Sequence, residues 1–342
     1  MENGHFTRQE IFSQPEAWSG ALTVLDQDHD AILDLQPARH YSQIIFTGCG
    51  STYYLSQAAA SLTQELTGLP ARAFPASELW LSPRSCYVEG NTLLVAVSRS
   101  GETTETLNAC TAFLGDKRGD LLTFSCYGDM PLAKMGTLNI VLPSGQEGSV
   151  AQTRAFTTLY LGTLAAAILW AGRTDLFDSL SRLPEAGTRL LNNYASLAAD
   201  LGRDDSIDRF YMLGSGSRNG LASELSLKMK EMSLSHSEPF HFMEFRHGPK
   251  SMITPSSLVI GLRSTGNARQ EAAVLEDIKA LGGRVLDISE INSDVQFKSN
   301  LDEVVRNVLY IPVGQLIAFE RALSKGLDPD HPTNLDNVVK LS

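Results

Sequence analysis

The chain has 342 residues and a formal net charge of −11. That length suits two domains of common size, each able to bury its own core without a disulfide or metal staple. The acidic balance excludes a broad phosphate-backbone surface, because nucleic-acid affinity rests mostly on clustered Lys and Arg, so no nucleic-acid partner is expected.

Residues 7 to 36 have helical spacing, with Ile11, Trp18, Leu22, Leu25 and Ile32 in an apolar stripe interrupted by Pro15. The pattern then alternates. Strand 42–47 leads to helix 52–66, strand 92–97 to helix 103–113, and strands 121–126 and 138–142 precede helix 151–170. The stretch from Arg182 to Gly187, with the helix after it, is the expected boundary. Strand 209–213, helix 219–233, strand 258–263, helix 268–281, strands 284–287 and 308–311, and helix 314–325 then repeat the order. Apolar strands alternating with helices indicate an α/β fold with doubly wound parallel sheets, here two in tandem. The expected division is a helical arm over 1–40, a first domain over 41–182, a second over 195–325, and a turn-rich tail over 326–342.

Cys49, Cys86, Cys110 and Cys126 all lie in the first half and form no CxxC pair, which indicates a reduced interior. Met1 to Gln14 is polar and lacks the apolar core of a signal peptide, so a cytoplasmic address is expected. The longest apolar stretch, Ala155 to Ala171, carries Thr157, Thr158, Tyr160, Gly162 and Thr163 behind Arg154. It reads as a buried helix rather than a bilayer span, and no membrane partner is expected.

Two segments open alike: Phe46-Thr-Gly-Cys-Gly-Ser-Thr52 and Met212-Leu-Gly-Ser-Gly-Ser-Arg218 each follow an apolar run and lead into helical periodicity. Only the first half adds an evidently hydroxylated loop, Ser98-Arg-Ser-Gly-Glu-Thr103, after its second apolar run. Ser51, Thr52, Ser98, Ser100 and Thr103 would then stand at strand ends that pass into helix starts, where ligands bind in open parallel sheets. Glycines let backbone approach an anion, helix starts supply positive potential and hydroxyls donate hydrogen bonds, so a monoester phosphate fits. Helix capping by Ser and Thr is the plainer use of the same residues. The chain has no GxxxxGK[ST] and no GxGxxG with its downstream acid, which disfavours nucleotides and leaves sugar phosphate.

Glu224, Lys228 and Glu231 share one helix face beside the apolar stripe Leu221, Leu225, Met229 and Met232. A catalytic carboxylate and a solvated charge ladder have the same spacing. His247 lies in Phe245-Arg-His-Gly-Pro-Lys250, where Gly and Pro present an imidazole on a turn, for catalysis or for structure. His236, His241 and His247 have neither an HExxH pattern nor a Cys partner, and neither a metal nor another cofactor is expected.

Gly48-Cys-Gly-Ser-Thr52, Ser98-Arg-Ser-Gly-Glu-Thr103, Ala151-Gln-Thr-Arg-Ala-Phe-Thr157, Leu227-Lys-Met-Lys-Glu231 and Arg246-His-Gly-Pro249 resemble the sugar isomerase (SIS) domain family. The likeness is to its duplicated form, as in the isomerase half of glucosamine-6-phosphate synthase, and to bacterial amino-sugar-phosphate deaminases and aldose-ketose isomerases. Arg8 to Trp18 looks like the start of the deaminase/isomerase group. The resemblance implies flavodoxin-like sheets and a phosphate held by Thr52, Ser98, Ser100 and Thr103 with backbone around Ser51 and Arg99. It also implies that Gln152 and Thr153 line the sugar and that the tail closes over the active site. Glu231 would move a proton between carbon-1 and carbon-2. His247 would help open the ring, supplied by the neighbouring subunit, so that a homodimer shares its active sites.

The family's Schiff-base lysine aligns with Asn337, and Lys340 lies three residues later. The synthase's glutamine-hydrolysing domain has no counterpart in the sequence. Removal of ammonia is therefore the expected direction, with glucosamine 6-phosphate converted to fructose 6-phosphate. Deglycation of phosphorylated fructosamines and non-catalytic sensing of sugar phosphates are the alternatives.

Overall fold

A computed structural model describes residues 3–336, and they form two compact units. The first comprises Ser13–Glu147 with Arg154–Ser181. The second comprises Arg182–Leu335, together with the residues up to Phe12 and the short segment Gly148–Thr153.

In the first unit β1 (Gln43–Gly48), β2 (Ala71–Pro75), β3 (Thr92–Ser98), β4 (Gly119–Ser125) and β5 (Leu138–Val141) form one sheet, ordered β2-β1-β3-β4-β5. In the second, β6 (Arg209–Gly214), β7 (His236–Phe240), β8 (Ser257–Leu262), β9 (Arg284–Ser289) and β10 (Val295–Gln296) are ordered β7-β6-β8-β9-β10. All pairings are parallel, and the two orders are the same: this is the flavodoxin-like winding, built twice.

β1, β3, β6 and β8 are central, so nearly every residue in them is buried whichever face it points to. Around them the first unit packs Ile45, Leu94, Ala109, Phe113 and Leu121, and the second packs Leu213, Phe245, Val259, Leu275 and Ile278. Helix Arg154–Trp170 is buried along almost its whole length, and no described helix is long and apolar enough to cross a membrane.

Three departures from the sequence pattern have physical causes. β2 and β7 show no strand pattern of their own: each is only five residues long and contains a proline, Pro75 or Pro239, and each is an edge strand, where a missing N–H is tolerated. The run 308–311 is not a strand. It belongs to a buried 3₁₀ segment, Val305–Tyr310, running into helix Pro312–Ser324. A short, wholly buried apolar run has no period to tell the two apart, and the fifth strand of that sheet is Val295–Gln296 instead. The arm is several helices, His5–Phe12, Gln14–Gln27, His29–Asp34 and Pro37–His40, and its first helix belongs to the second unit.

That first helix is held from the tail. The carboxylate of Asp330 accepts hydrogen bonds from the amides of Phe6 (3.0 Å) and Thr7 (2.7 Å) and from the Thr7 hydroxyl (2.7 Å), while Asp328 accepts from the Gly4 amide (2.9 Å). These are the orphan donors of a helix start, satisfied by residues more than 300 positions away in sequence.

Candidate active site

The sheet order of the first unit reverses between β1 and β3, so the carboxyl ends of these two strands form the switch point at which open parallel sheets bind ligands. Gly48-Cys-Gly-Ser-Thr52 and Ser98-Arg-Ser-Gly-Glu-Thr103 both lie there. Their glycines serve different purposes. At Gly48 a Cβ would come within 2.5 Å of Thr52 Oγ1 and 2.7 Å of its carbonyl carbon. At Gly50 nothing lies within 4 Å of that position, but φ is 55° and ψ −123°, which an L side chain resists. The turn delivers Ser51, 5% exposed, to the first position of helix Ser51–Thr67.

Capping explains part of the hydroxyl cluster. Thr52 Oγ1 accepts from the Cys49 amide and donates to the Cys49 carbonyl, both at 2.9 Å, so this hydroxyl builds the loop. Thr103 precedes helix Thr104–Gly115 without a side-chain capping bond; its Oγ1 lies 3.3 Å from Ser98 Oγ. Ser98 Oγ accepts from the Gly101 amide at 3.1 Å, and Ser100 Oγ, half-buried, accepts from the Glu102 amide at 3.2 Å.

The Arg99 guanidinium is committed to Glu147, 3.3 Å away, whose side chain is wholly buried. The other Glu147 oxygen accepts from the Ala155 amide at 3.0 Å, in the first turn of helix Arg154–Trp170. Glu147 therefore staples the loop to a neighbouring helix, and nothing in its local sequence marks it for that. Cys49 sits inside the first glycine turn, where burial pushes its thiol pKa up; Cys110 is pushed by burial to about 12. Burial of this kind disfavours the thiolate, the reactive form of cysteine.

In the second unit Glu224, Lys228 and Glu231 lie on helix Ser217–Ser233. Lys228 and Glu224 are wholly buried, and only the Glu231 side chain reaches solvent, at 20% exposure. Lys228 Nζ is 2.5 Å from Glu231 Oε2 and 3.3 Å from Glu224 Oε1. Burial alone would lower the lysine pKa, but the two carboxylates outweigh it and the net shift is upward. The face is thus no solvated ladder: it is an internal ion triad with one carboxylate at its mouth.

Gln152 and Thr153 belong to this unit too. Their segment is anchored by buried Glu10, which accepts from the Gly148 amide (2.6 Å), the Ser149 amide (3.2 Å) and the Ser149 hydroxyl. The Thr153 carbonyl accepts from Gln315 Nε2 at 3.1 Å. Gln152 Oε1 is buried without a hydrogen-bond partner among the described residues, an acceptor that a ligand hydroxyl would satisfy.

His247 is exposed, on a turn closed by its amide donating to the Glu244 carbonyl at 2.9 Å and followed by Gly248 at φ 129°. His236 and His241 are also exposed, and no group of three metal-ligating side chains occurs among the described residues. Asn337 and Lys340 lie outside the described residues.

The model of the SIS domain matches residues 39–169 and 206–314, one stretch in each unit. The chain is 27% identical to the glutamine–fructose-6-phosphate aminotransferase (isomerizing) of Methanothermobacter thermautotrophicus over 98% of its length, and 29% identical to that of Thermococcus kodakarensis. It spans 57% and 58% of those two relatives. Among solved structures, the glucosamine-6-phosphate deaminase of Thermotoga maritima is 26% identical, with a TM-score of 0.78 over 98% of this chain and 99% of that one. The tagatose-6-phosphate ketose/aldose isomerase of Escherichia coli is 22% identical, with a TM-score of 0.85 over 97% of both chains, and shares the fold.

Proposed function

The chain belongs to the SIS domain family, and from that premise we propose that it is an amino-sugar-phosphate deaminase/isomerase acting on glucosamine 6-phosphate. The observation that carries this is the triad of Glu224, Lys228 and Glu231. A buried lysine fixes a carboxylate in place while leaving it open to solvent, which is what a base for a carbon-bound proton requires. The likeness over nearly full length to a deaminase supports the direction of reaction.

In this assignment the 6-phosphate is held by the Ser51 and Ser98–Thr103 loops, where helix-start amides and the hydroxyls of Ser98, Ser100 and Thr103 meet a dianion. Holding the phosphate far from the reacting carbons positions the substrate and supplies binding energy that is realised at the transition state. His247 moves a proton from the anomeric hydroxyl to the ring oxygen and opens the ring. Gln152 and Thr153 take sugar hydroxyls. Glu231 removes the proton from carbon-2 to form an enolamine and returns it to carbon-1. The resulting ketose imine adds water and expels ammonia, so glucosamine 6-phosphate and water become fructose 6-phosphate and ammonia. An exposed His247 suits an imidazole lent to a second copy of the chain, and the active enzyme is then a homodimer.

A panel of phosphorylated sugars assayed for ammonia tests the assignment. Release from glucosamine 6-phosphate is expected. An amino acid released from phosphorylated fructosamines instead would make the chain a deglycase, and binding without turnover across the panel would make it a sensor.

A further inference from the structure

The second unit has a switch point of its own, between the carboxyl ends of β6 and β8. Its first turn copies that of the other half: Gly216 has φ 58° and ψ −133°, against 55° and −123° at Gly50. At Gly214 a Cβ would come within 2.2 Å of the Arg218 carbonyl oxygen. The loop after β8, Arg263-Ser-Thr-Gly-Asn267, runs into helix Ala268–Ala280 as Arg99-Ser-Gly-Glu-Thr103 runs into Thr104–Gly115. It carries hydroxyls after all, on Ser264 and Thr265.

These donors already hold an anion from the same chain. Glu303 Oε2 accepts from the amides of Thr265 (3.1 Å) and Gly266 (3.3 Å) and from the Thr265 hydroxyl. Glu303 Oε1 accepts from Arg218 at 2.7 Å, and an Arg306 nitrogen lies 3.5 Å from Oε2. Two loop amides at a helix start, a hydroxyl and two guanidiniums form the set that receives a phosphate group elsewhere. Arg218 and Arg306 are 7% and 4% exposed, and the Nε of each is buried without a hydrogen-bond partner among the described residues. The Arg218 guanidinium therefore keeps a donor beyond the one that Glu303 uses, while the Arg306 Nε faces Glu290 at 3.8 Å.

We propose that the second unit contains an anion site of its own, built for a phosphate monoester and filled in this chain by the Glu303 carboxylate. Glu303 enters from a partly exposed position, so the plug is a side chain on the rim and not a piece of the core. Two other carboxylates stay nearby when it is withdrawn. Glu271 is 3.9 Å from Arg218 and Glu290 is 3.8 Å from Arg306. Each has donors of its own: Ser264 amide (2.6 Å) and hydroxyl (2.9 Å) for Glu271, Ser299 hydroxyl and Asn300 amide (both 2.8 Å) for Glu290. Their residual charge keeps the opened site weak, with an affinity for phosphate on the order of millimolar.

Inorganic phosphate titrated into the full chain, followed by the amide resonances of Thr265 and Gly266, reads this site apart from the first unit's loops. In Glu303→Ala those two amides are expected to shift, with one more phosphate bound per chain than in the wild type. Adding Arg218→Met should weaken that binding about tenfold or more. Should a folded Glu303→Ala chain leave both amides unmoved up to about 100 mM phosphate, the site does not exist. Equal shifts in wild type and variant would show that Glu303 is no plug. If the alanine variant does not fold, Glu303→Gln keeps the size and removes the charge; unmoved amides there overturn the proposal as well.

Discussion

Lys228 Nζ stands 2.5 Å from the Glu231 carboxylate, and the lysine is fully buried while its partner is not. In the proposed mechanism that asymmetry makes Lys228 the anchor and Glu231 the base. The third member, Glu224, is buried with it and balances the charge from behind.

Removing the lysine should be costly. Lys228→Met removes the buried ammonium that is ion-paired with buried Glu224, a loss of about 3–5 kcal/mol. Urea denaturation of Lys228→Met and of Lys228→Met/Glu224→Leu checks this. The double variant should recover most of the loss, because Glu231 can hydrate itself at the surface. Equal destabilisation of the two would show that packing, not charge, dominates at this position.

Alkaline pH should report the same triad. A lysine whose folded pKa lies above its ordinary 10.5 contributes stability that is complete below that value and disappears as pH rises through the higher folded value. The stability gap between wild type and Lys228→Met should therefore hold steady from neutral pH to about pH 10 and shrink above it. A gap independent of pH up to the point of global unfolding would contradict the coupling.

Glu231→Gln should leave the fold intact and reduce kcat about a hundredfold to ten-thousandfold in ammonia release, with KM little changed. His247→Ala should reduce turnover of the closed sugar ring while changing stability by no more than about 0.5 kcal/mol, since His247 is exposed. Steady-state kinetics and thermal melts on the same preparations separate these effects. Full activity in Glu231→Gln would remove the base assignment.

Within the hydroxyl loop, Ser100 and Ser98 should behave differently. Ser100 is half-buried and its hydroxyl accepts from the Glu102 amide, so Ser100→Ala should chiefly raise KM for phosphorylated substrates. Ser98 is 2% exposed and holds the Gly101 amide, so Ser98→Ala should also destabilise the loop, by about 1–3 kcal/mol. Kinetics together with denaturant midpoints distinguish the two.

The two glycines of the first turn offer a cleaner contrast. Gly50→Ala meets no atom but forces an L residue to φ 55° and ψ −123°, at about 1–3 kcal/mol. Gly48→Ala drives a methyl into Thr52 Oγ1 and backbone, and should cost more and disturb phosphate binding as well. Denaturation midpoints that rank them the other way would mean that the turn relaxes around Thr52.

Much of this architecture is legible from local pattern. The central strands β1, β3, β6 and β8 announce themselves as apolar runs, and the Gly-X-Gly turns after β1 and β6 mark where the chain passes into a helix. The edge strands β2 and β7 stay hidden because proline is permitted there only by position in a sheet. The helix spacing brought Glu224, Lys228 and Glu231 to one face, but whether water covered that face was beyond it, since burial depends on what packs against a helix and not on its own period. Glu147 and Glu10 gave no local sign of their roles, because the groups they bind lie 48 and about 140 positions away in sequence.

From its residues alone, then, this protein is a doubled strand-turn-helix design with a hydroxyl-rich loop in its first half, because strand periods, glycine turns and helix starts are short-range properties. Only the folded chain decides which charges are internal and which donors are already taken. Arg218 and Glu303 meet across 85 positions of sequence, and that meeting fills a crevice which its own loop would otherwise leave open to an anion. Contacts of that range are selected by packing, and no local pattern encodes them.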